Sequence, residues 1–295
     1  MAILEWMNQE QEAGRHSILK MCTSLGVSRS SYYRHLNLIV SKRKRADQLL
    51  DQRVLRLYQE NQGIYGAGKL RYLLASSYHE YPDISIKRVQ KSMRRQNLRS
   101  ITVKKFKAGR PTKRILKTYK NLLNQDFSTT GLNQKWVADI TYIYTLADGW
   151  CYLSTNMDLH SRKIIGYHFD RTMQTSIVLK ALDDAFSKRK IEKGLILHTD
   201  LGSQYTSIDY ETKLKAMNLC HSYSQKGCPY DNAGIESFHA LLKKEHVYQR
   251  SAYSNFEEAK LQVFSYVQGF YNNRRIHSSL AYLSPNKFEQ KISAA

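Results

Sequence analysis

The segment WVADITYIYTLADGWCYLSTNMDLHSRKIIGYHFD, residues 136–170, decides the fold of the C-terminal half of this chain. β-Branched and aromatic residues fill it, and turn-forming residues interrupt it at Asp148-Gly149 and at His160-Ser161. We therefore predict three successive antiparallel strands. Their expected bounds are Trp136–Tyr144, Trp150–Asp158 and Arg162–Asp170.

The sequence after these strands alternates between helical and strand patterns. Residues 175–188 and 207–217 have the spacing of helices, while residues 195–199 and 219–223 form short apolar runs typical of buried strands. This order predicts an α/β fold, with a mixed five-stranded sheet flanked by helices.

Three acids, Asp139, Asp200 and Glu236, each lie inside an apolar segment, separated by 60 and then 35 intervening residues. Asp is depleted in strands and in protein interiors unless something compensates its charge. Two strands and a helix from distant parts of the chain could bring three carboxylates together. Such a set holds hard divalent cations against a phosphate.

Five segments carry a resemblance to a known family. TYIYT, GWCYLSTNMDLHSRKIIGYH, HTDLGSQYTS, GCPYDNAGIESFHALLKKE and YNNRRIHSSLAYLSP resemble, in order and spacing, the integrase-like catalytic domain of bacterial insertion-sequence transposases. The resemblance is strong from Leu132 to Phe288 and weaker upstream, in LGVSRSSYY and IYGAGKLRYLL. That family also has 35 residues between its second and third acids. The resemblance implies a ribonuclease-H-like fold, in agreement with the predicted strand order.

The resemblance also implies the chemistry. Asp139, Asp200 and Glu236 would be the catalytic acids of a DDE transposase and would hold two Mg²⁺ ions, with Mn²⁺ as a possible substitute. Water would nick DNA to leave a 3′ hydroxyl, and that hydroxyl would then join the end to a new phosphate. Lys243, seven residues after Glu236, matches a basic residue expected to touch the DNA end near the scissile phosphate.

The net charge of +21 is concentrated in the N-terminal half. Residues 1–128 contain 26 Lys and Arg against 9 Asp and Glu, a balance of +17, while residues 129–295 contain 20 against 16, a balance of +4. Clustered cations displace counterions from phosphates, so double-stranded DNA is the expected partner.

The N-terminal half contains two candidate DNA-binding regions. HSILKMCTSLGVSRSSYYRHL, residues 16–36, has the layout of a helix-turn-helix, although an ordinary helical hairpin remains open. In it Gly26 permits the turn and Ser28 caps a second helix that carries Arg29 and Arg34. Its first helix is expected to pack through Ile18, Leu19, Cys22 and Leu25.

Three further helices are predicted over residues 47–59, 68–76 and 85–96, and a basic linker follows them. The third helix presents a dense basic face to DNA. The linker has no acid over residues 101–120, so we expect it to order along DNA, with a solvated tether as the alternative. The expected contacts are Arg88, Lys91, Arg94 and Arg95 on the helix and Lys104, Lys105 and Lys107 in the linker.

We predict five regions along the chain. These are a helix-turn-helix candidate (1–40), a second helical DNA-binding region (41–100), a basic linker (101–131), an integrase-like catalytic core (132–250) and a C-terminal helical segment (251–295). In the last, Arg274 and Arg275 either contact DNA or close the catalytic domain.

Other classes of protein fit the sequence less well. The chain has neither a long apolar run nor a signal-peptide pattern, so we expect a cytoplasmic, nucleoid-associated bacterial protein with no membrane partner. The four cysteines form no CxxC pair, which disfavours structural zinc. Joining two DNA ends predicts at least a homodimer on DNA, and related elements suggest an upstream reading-frame product as a further partner.

Three alternatives stay open. A non-catalytic regulator would bind element ends without cutting them, and a structure-specific nuclease of the same fold would cut without joining. A tyrosine recombinase would form a covalent DNA–tyrosine adduct and leave the three acids unexplained.

Overall fold

The structure is a computed structural model that describes residues 2–36, 41–102, 119–191, 194–225, 228–249 and 252–294. Of the predicted DNA contacts, Lys104, Lys105 and Lys107 lie outside the described residues.

Five strands form one mixed sheet. They are β1 (Lys135–Thr145), β2 (Gly149–Asp158), β3 (Ile164–Asp170), β4 (Ile196–Thr199) and β5 (Cys220–Tyr223). Their spatial order is β3-β2-β1-β4-β5, with the first three antiparallel and β4 and β5 parallel to β1. This is the ribonuclease-H-like arrangement, so the predicted fold is confirmed. The strand predicted from Arg162 begins two residues later, because Arg162 has a left-handed φ of 55° that an extended strand cannot contain.

Successive side chains along β1 point to opposite faces of the sheet, so β1 contributes to a core on each face. Val137 and Ile143 pack on one face with α9 (Ala233–Glu245) and α10 (Phe256–Phe264). Trp136 and Ala138 pack on the other face with α7 (Thr175–Ser187) and α8 (Ile208–Ala216).

Helix α7 lies unusually close to β3 at Gly166. A Cβ atom at Gly166 would stand 2.4 Å from the carbonyl oxygen of Ala181 and 2.4 Å from the backbone nitrogen of Ala185. The lack of a side chain at Gly166 therefore sets the depth at which α7 packs on the sheet.

The segment after α9 closes the other side of the sheet. Helix α10 continues as a π-helix over Ser265–Asn272, and α11 (Pro285–Ser293) is the last helix described. Asn272 covers the edge of β3, since its side chain accepts from the backbone N–H of Ile164 at 3.0 Å and donates to the carbonyl of Ile164 at 2.9 Å. Short 3-10 turns occupy Pro229–Asn232, Val247–Gln249 and Ser278–Leu280.

The start of α9 has no side-chain cap. Asn232 occupies the N-cap position, but its side chain makes no capping hydrogen bond. The carboxylate of Asp231 is engaged elsewhere, because it accepts from the backbone N–H of Gln225 and from the side chains of Asn121 and Gln125.

The first helical unit comprises α1 (Ala2–Glu12), α2 (Ile18–Leu25) and α3 (Arg29–Leu36). Gly26 ends α2 with a φ of 65°, and the Ser28 hydroxyl accepts from the backbone N–H of Ser31, as predicted. The predicted apolar stripe is only partly right, because Leu19 and Leu25 are exposed. The small core of this unit instead contains Met7, Met21, Cys22 and Tyr32.

The second helical unit comprises α4 (Lys42–Glu60), α5 (Ala67–Ser77) and α6 (Ile86–Arg95). Helix α4 begins five residues before its predicted start, and the other bounds lie within one residue of the predicted ones. The unit packs on the C-terminal segment. Ile276 joins its apolar core, the Tyr65 hydroxyl accepts from the backbone N–H of Ile276 at 3.0 Å, and Tyr72 stacks on Tyr282 with ring centroids 4.6 Å apart. Across the described ranges, no helix combines the length and apolar character needed to cross a membrane.

Candidate active site

The three predicted acids come from three elements that meet at one end of the sheet. Asp139 lies in the middle of β1, opposite Thr155 of β2. Asp200 follows the last residue of β4, and Glu236 lies in the first turn of α9. Because β4 is parallel to β1 and pairs with it, Asp200 emerges beside the strand that carries Asp139.

The charge of Asp139 acts on each of the other two acids. Burial and then the charge of Asp139 raise the pKa of the Asp200 carboxyl, although the backbone N–H of Gly202 partly offsets the rise. Partial desolvation and then the charge of Asp139 also raise the pKa of Glu236. Carboxylates that disfavour one another's ionised form in this way hold negative charge that a cation could compensate.

Asp139 has two close polar neighbours. The backbone N–H of Ile140 donates to its Oδ1 at 2.8 Å, and Nδ1 of His239 lies 3.3 Å from its Oδ2. The other ring nitrogen of His239, Nε2, lies 2.8 Å from the Thr155 hydroxyl. His239 therefore connects α9 to β1 and β2. The signal for His239 in the sequence is its position three residues after Glu236, which puts both side chains on one face of α9.

The donor set suits a hard divalent cation, since it consists of carboxylate oxygens from Asp139, Asp200 and Glu236. Among the residues that the structure describes, however, no three His, Cys, Asp or Glu side chains converge closely enough to hold one metal ion. Both oxygens of Asp139 have protein neighbours in this arrangement.

Hydrogen bonds hold the loop that carries Asp200 in place. The backbone N–H of Gly202 donates to Oδ1 of Asp200 at 2.9 Å, and the side chain of Gln204 donates to the carbonyl of Met173 at 2.9 Å. His198 is buried, with its two ring nitrogens 2.8 and 3.0 Å from the hydroxyls of Ser222 and Ser224. Burial lowers the pKa of His198 to about 4, so its ring is neutral, and the hydroxyls of Ser222 and Ser224 occupy both of its nitrogens.

Lys243 lies on α9, two turns after Glu236, and is partly buried. Burial lowers the pKa of its ammonium group, while the negative charge of Asp139 acts in the opposite direction. The side chain therefore lies within electrostatic reach of the acids.

Of the two roles that the sequence leaves open for Arg275, DNA contact and closure of the catalytic domain, its burial favours the second. Its guanidinium is buried and binds the fully buried carboxylate of Glu245, with Nη2 to Oε1 at 2.6 Å and Nε to Oε2 at 2.9 Å. The Tyr266 hydroxyl also donates to Glu245, at 2.8 Å. Arg275 thus closes the catalytic domain against the end of α9, and only Arg274 is exposed.

The predicted contacts of the helical units lie at the surface. Arg29 and Arg34 are exposed on α3, as are Lys91 and Arg94 on α6. The remaining two predicted contacts on α6 are partly neutralised by acids of α4, because Arg95 pairs with Asp51 at 2.6 Å and Arg88 lies 3.5 Å from Asp47.

Comparisons with known families and curated proteins agree along most of the chain. Residues 130–229 and 217–285 each match a family described as Integrase core domain, and residues 44–106 match one described as HTH-like domain. The chain is 38% identical over 284 residues to Transposase InsF for insertion sequence IS3A of Escherichia coli strain K12, covering 96% of this chain and 97% of that protein. It is 36% identical over 271 residues to Insertion element IS600 uncharacterized 31 kDa protein of Shigella sonnei, covering 92% and 98%.

Two integrase core domains are among the solved structures that match part of this chain. The HTLV-2 integrase catalytic core domain in complex with magnesium, trimeric form, has a TM-score of 0.41 and 14% identity, over 53% of this chain and 95% of that chain. The catalytic core domain of BIV integrase has a TM-score of 0.41 and 15% identity, over 55% of this chain and 97% of that chain.

Proposed function

The chain belongs to the family of IS3 InsF transposases, which carry an integrase core domain, and from this premise we propose that it cuts and joins insertion-sequence ends by metal-dependent phosphoryl transfer. Asp139, Asp200 and Glu236 are the proposed catalytic acids. Hydrolytic nicking would come first, and the 3′ hydroxyl that it leaves would then attack the target strand.

One observation carries the proposal. The charge of Asp139 raises the pKa of both Asp200 and Glu236, although the three residues come from β1, the end of β4 and α9. A fold that places Asp200 and Glu236 within electrostatic reach of Asp139 loses stability unless a bound cation compensates the negative charge. Two Mg²⁺ ions bound between these oxygens and a DNA phosphate would supply that compensation, and the carboxylate oxygens are suitable ligands for them.

The residues of the chain have separate roles in this proposal. Asp139 and Asp200 would bind from the sheet and Glu236 from the helix, while His239 holds the orientation of Asp139 through its 3.3 Å contact. Bound magnesium supplies Lewis-acid stabilisation of charge on the attacking and leaving oxygens. Lys243, on the same helix, would contact the phosphate backbone of the DNA end.

The test is cleavage and strand transfer on labelled duplexes that carry the element's own ends, with Mg²⁺ or Mn²⁺. We expect Asp139→Asn, Asp200→Asn and Glu236→Gln each to abolish nicking and joining while retaining DNA binding. Asp209→Asn is the matched control, because Asp209 is an exposed acid on α8 and should be silent.

Two outcomes would contradict the proposal. A native chain that binds element ends but never cuts them, even with the upstream reading-frame product supplied, would be a regulator. A native chain that nicks but never joins would be a nuclease of the same fold.

The helical units and the overall charge supply the proposed DNA contacts. Arg29, Arg34, Lys91, Arg94 and Arg274 are exposed and would neutralise phosphates. Each lost phosphate contact should reduce the slope of log affinity against log salt by about 1. We therefore expect Lys91→Gln and Arg94→Gln to flatten the salt dependence of duplex binding, and an unchanged slope would remove them from the interface.

The proposed assembly is at least a dimer on DNA, because two ends must be cut and joined together. The upstream reading-frame product is a further proposed partner. A binding assay on the element's ends, with and without that product, decides whether the chain recognises its ends alone. The proposed place of action is the bacterial nucleoid in the cytoplasm.

A further inference from the structure

A series of hydrogen bonds, which we call the Glu211 network, runs from α8 to the backbone of Asp200. The carboxylate of Glu211, in the first turn of α8, lies 2.6 Å from Nδ1 of His221 on β5. The other ring nitrogen of His221, Nε2, lies 3.0 Å from the hydroxyl of Thr199, the last residue of β4. That hydroxyl donates to the backbone carbonyl of Asp200 at 2.9 Å. The network therefore links α8, β5 and β4 to one of the proposed catalytic acids.

Packing and hydrogen bonding hold the ring of His221 in one orientation. Its side chain is 7% exposed and contacts two tyrosine rings, with centroid distances of 3.9 Å to Tyr223 and 5.7 Å to Tyr210. A carboxylate only accepts hydrogen bonds, so Nδ1 is the nitrogen that donates to Glu211. The Tyr223 hydroxyl donates to the same carboxylate. The nitrogen that faces Thr199 is therefore fixed from the side of α8.

Asp200 lies beyond the last paired residue of its strand. Among the described residues, the β4–β5 ladder ends with the pair Thr199 and Tyr223, and the β1–β4 ladder ends at His198. Strand pairing therefore does not fix the position of Asp200. Its carboxylate accepts from the backbone N–H of Gly202 at 2.9 Å. The Thr199 hydroxyl fixes the other end of the residue, because it donates to the backbone carbonyl.

Attachment of α8 to the sheet does not account for the Glu211 network. The helix packs there without it, because Tyr210 and Leu214 are buried in an apolar core with Leu197 of β4. A buried polar group costs free energy unless it is hydrogen-bonded, and an apolar residue at the fully buried position of Thr199 would avoid that cost. The hydroxyl donates to the backbone of a proposed catalytic acid, so placement of that acid explains it better.

We propose that Glu211 and His221 are positioning residues for Asp200 and act on it through the Thr199 hydroxyl. Their role is to hold the Asp200 carboxylate in the orientation in which it binds a divalent cation. Replacing side chains that support a metal ligand through hydrogen bonds typically weakens metal binding by about 10- to 100-fold. This inference rests on the proposed function in taking Asp200 as a metal ligand.

The experiment uses the full chain and two matched pairs of variants. Thr199→Val removes the hydroxyl, and Thr199→Ser keeps it. His221→Phe removes both ring nitrogens and keeps a flat ring, while His221→Gln keeps an amide that can donate to Thr199. Lys213→Met is the control, because it removes the ion pair of Lys213 with Asp183, which connects α8 to α7 outside the Glu211 network.

Two measurements follow the position of Asp200. The first is the affinity for Mn²⁺ without DNA. The second is amide hydrogen exchange of Gly202, followed by NMR in EDTA, which reports the hydrogen bond to the Asp200 carboxylate with no metal present. Urea unfolding of each variant confirms that it is folded under the conditions of both measurements.

The two variants that break the network should change both readouts. We expect Thr199→Val and His221→Phe to weaken Mn²⁺ binding by about 10- to 100-fold and to speed the exchange of Gly202. Thr199→Ser and His221→Gln should retain most of the affinity, because each keeps a hydrogen-bonding group in place. Lys213→Met should leave both readouts unchanged.

Three results would overturn the inference. The first is native Mn²⁺ affinity and native Gly202 exchange in both Thr199→Val and His221→Phe. The second is an equal loss in Lys213→Met, which would indicate general loosening of α8. The third is a full further loss of Mn²⁺ affinity when His221→Phe is added to Asp200→Asn, because an effect that acts through the Asp200 carboxylate should disappear with it.

A failure of the proposed function gives a different pattern. If Asp200→Asn binds Mn²⁺ as tightly as the native chain, Asp200 is not a metal ligand. The exchange of Gly202 in EDTA then still decides whether the Glu211 network positions Asp200.

Discussion

Replacing Arg275 tests the assignment of this residue to the interior rather than to DNA. In the native chain its guanidinium makes two short contacts with Glu245, at 2.6 and 2.9 Å, and the side chains are 7% and 0% exposed. Burial by itself would lower the pKa of Arg275, but the hydrogen bonds and charge of Glu245 outweigh it and raise that pKa. Arg275→Met would leave a buried carboxylate with the Tyr266 hydroxyl as its remaining hydrogen-bond donor from this set.

The magnitude follows from the burial of the pair. Removing one partner of a buried ion pair costs about 3–5 kcal/mol, because the other charge stays desolvated without compensation. Removing both charges costs less, because no desolvated charge is then left without its partner. We therefore expect Arg275→Met to lower the free energy of unfolding by about 3–5 kcal/mol, and Glu245→Gln combined with Arg275→Met to recover most of that loss.

The assay is urea unfolding followed by far-UV circular dichroism, with the change in stability taken from the midpoint at constant slope. Arg274→Met is the matched control, because Arg274 is the neighbouring arginine but is exposed. Its expected change lies within about 0.5 kcal/mol. When both variants are folded, Arg274→Met should reduce the affinity for duplex DNA more than Arg275→Met does.

Equal and small losses of stability for Arg274→Met and Arg275→Met would refute the reasoning. So would a double variant that is as unstable as Arg275→Met alone, since the loss would then come from packing and not from an uncompensated charge.

Three further predictions concern the site, the pH dependence and the packing. His239→Ala should weaken Mn²⁺ binding by about 10- to 100-fold, because Asp139 loses the neighbour that orients it, while His239→Asn should retain much of the affinity. The measurement is the rise in melting temperature that Mn²⁺ causes. The same rise in His239→Ala as in the native chain would contradict the prediction. Burial and then nearby positive charges lower the pKa of His277 to about 2, below its ordinary 6.5, so the unfolded chain binds the extra proton and stability falls as the pH drops below 6.5. His277→Gln should remove about 1.4 kcal/mol per pH unit from that slope, and parallel curves for the two proteins would count against it. Gly166→Ala should lower the free energy of unfolding by about 1–3 kcal/mol, because its Cβ would meet backbone atoms at 2.4 Å. Gly66→Ala is the control and should lower it less, because the nearest neighbour of its Cβ is at 4.0 Å. Equal melting temperatures of the two variants would show that α7 adjusts freely.

The sequence by itself determined the order of the strands and helices in the C-terminal half. Period-two patterns, turn residues and short apolar runs are local, so β1, β2 and β4 could be located within a few residues. The sequence also singled out Asp139, because an acid in a strand is conspicuous without any knowledge of its neighbours. The catalytic role of Asp139, Asp200 and Glu236 remains a proposal that the variants above test.

Tertiary structure decided which side chains are available and what they contact. Arg274 and Arg275 are equivalent in the sequence, yet Arg275 is buried because Glu245, 30 residues away, supplies the opposite charge. His239 acquires its place beside Asp139 from a contact with Thr155, 84 residues away. Burial and charge compensation depend on residues that are distant along the chain, and local patterns carry no record of them.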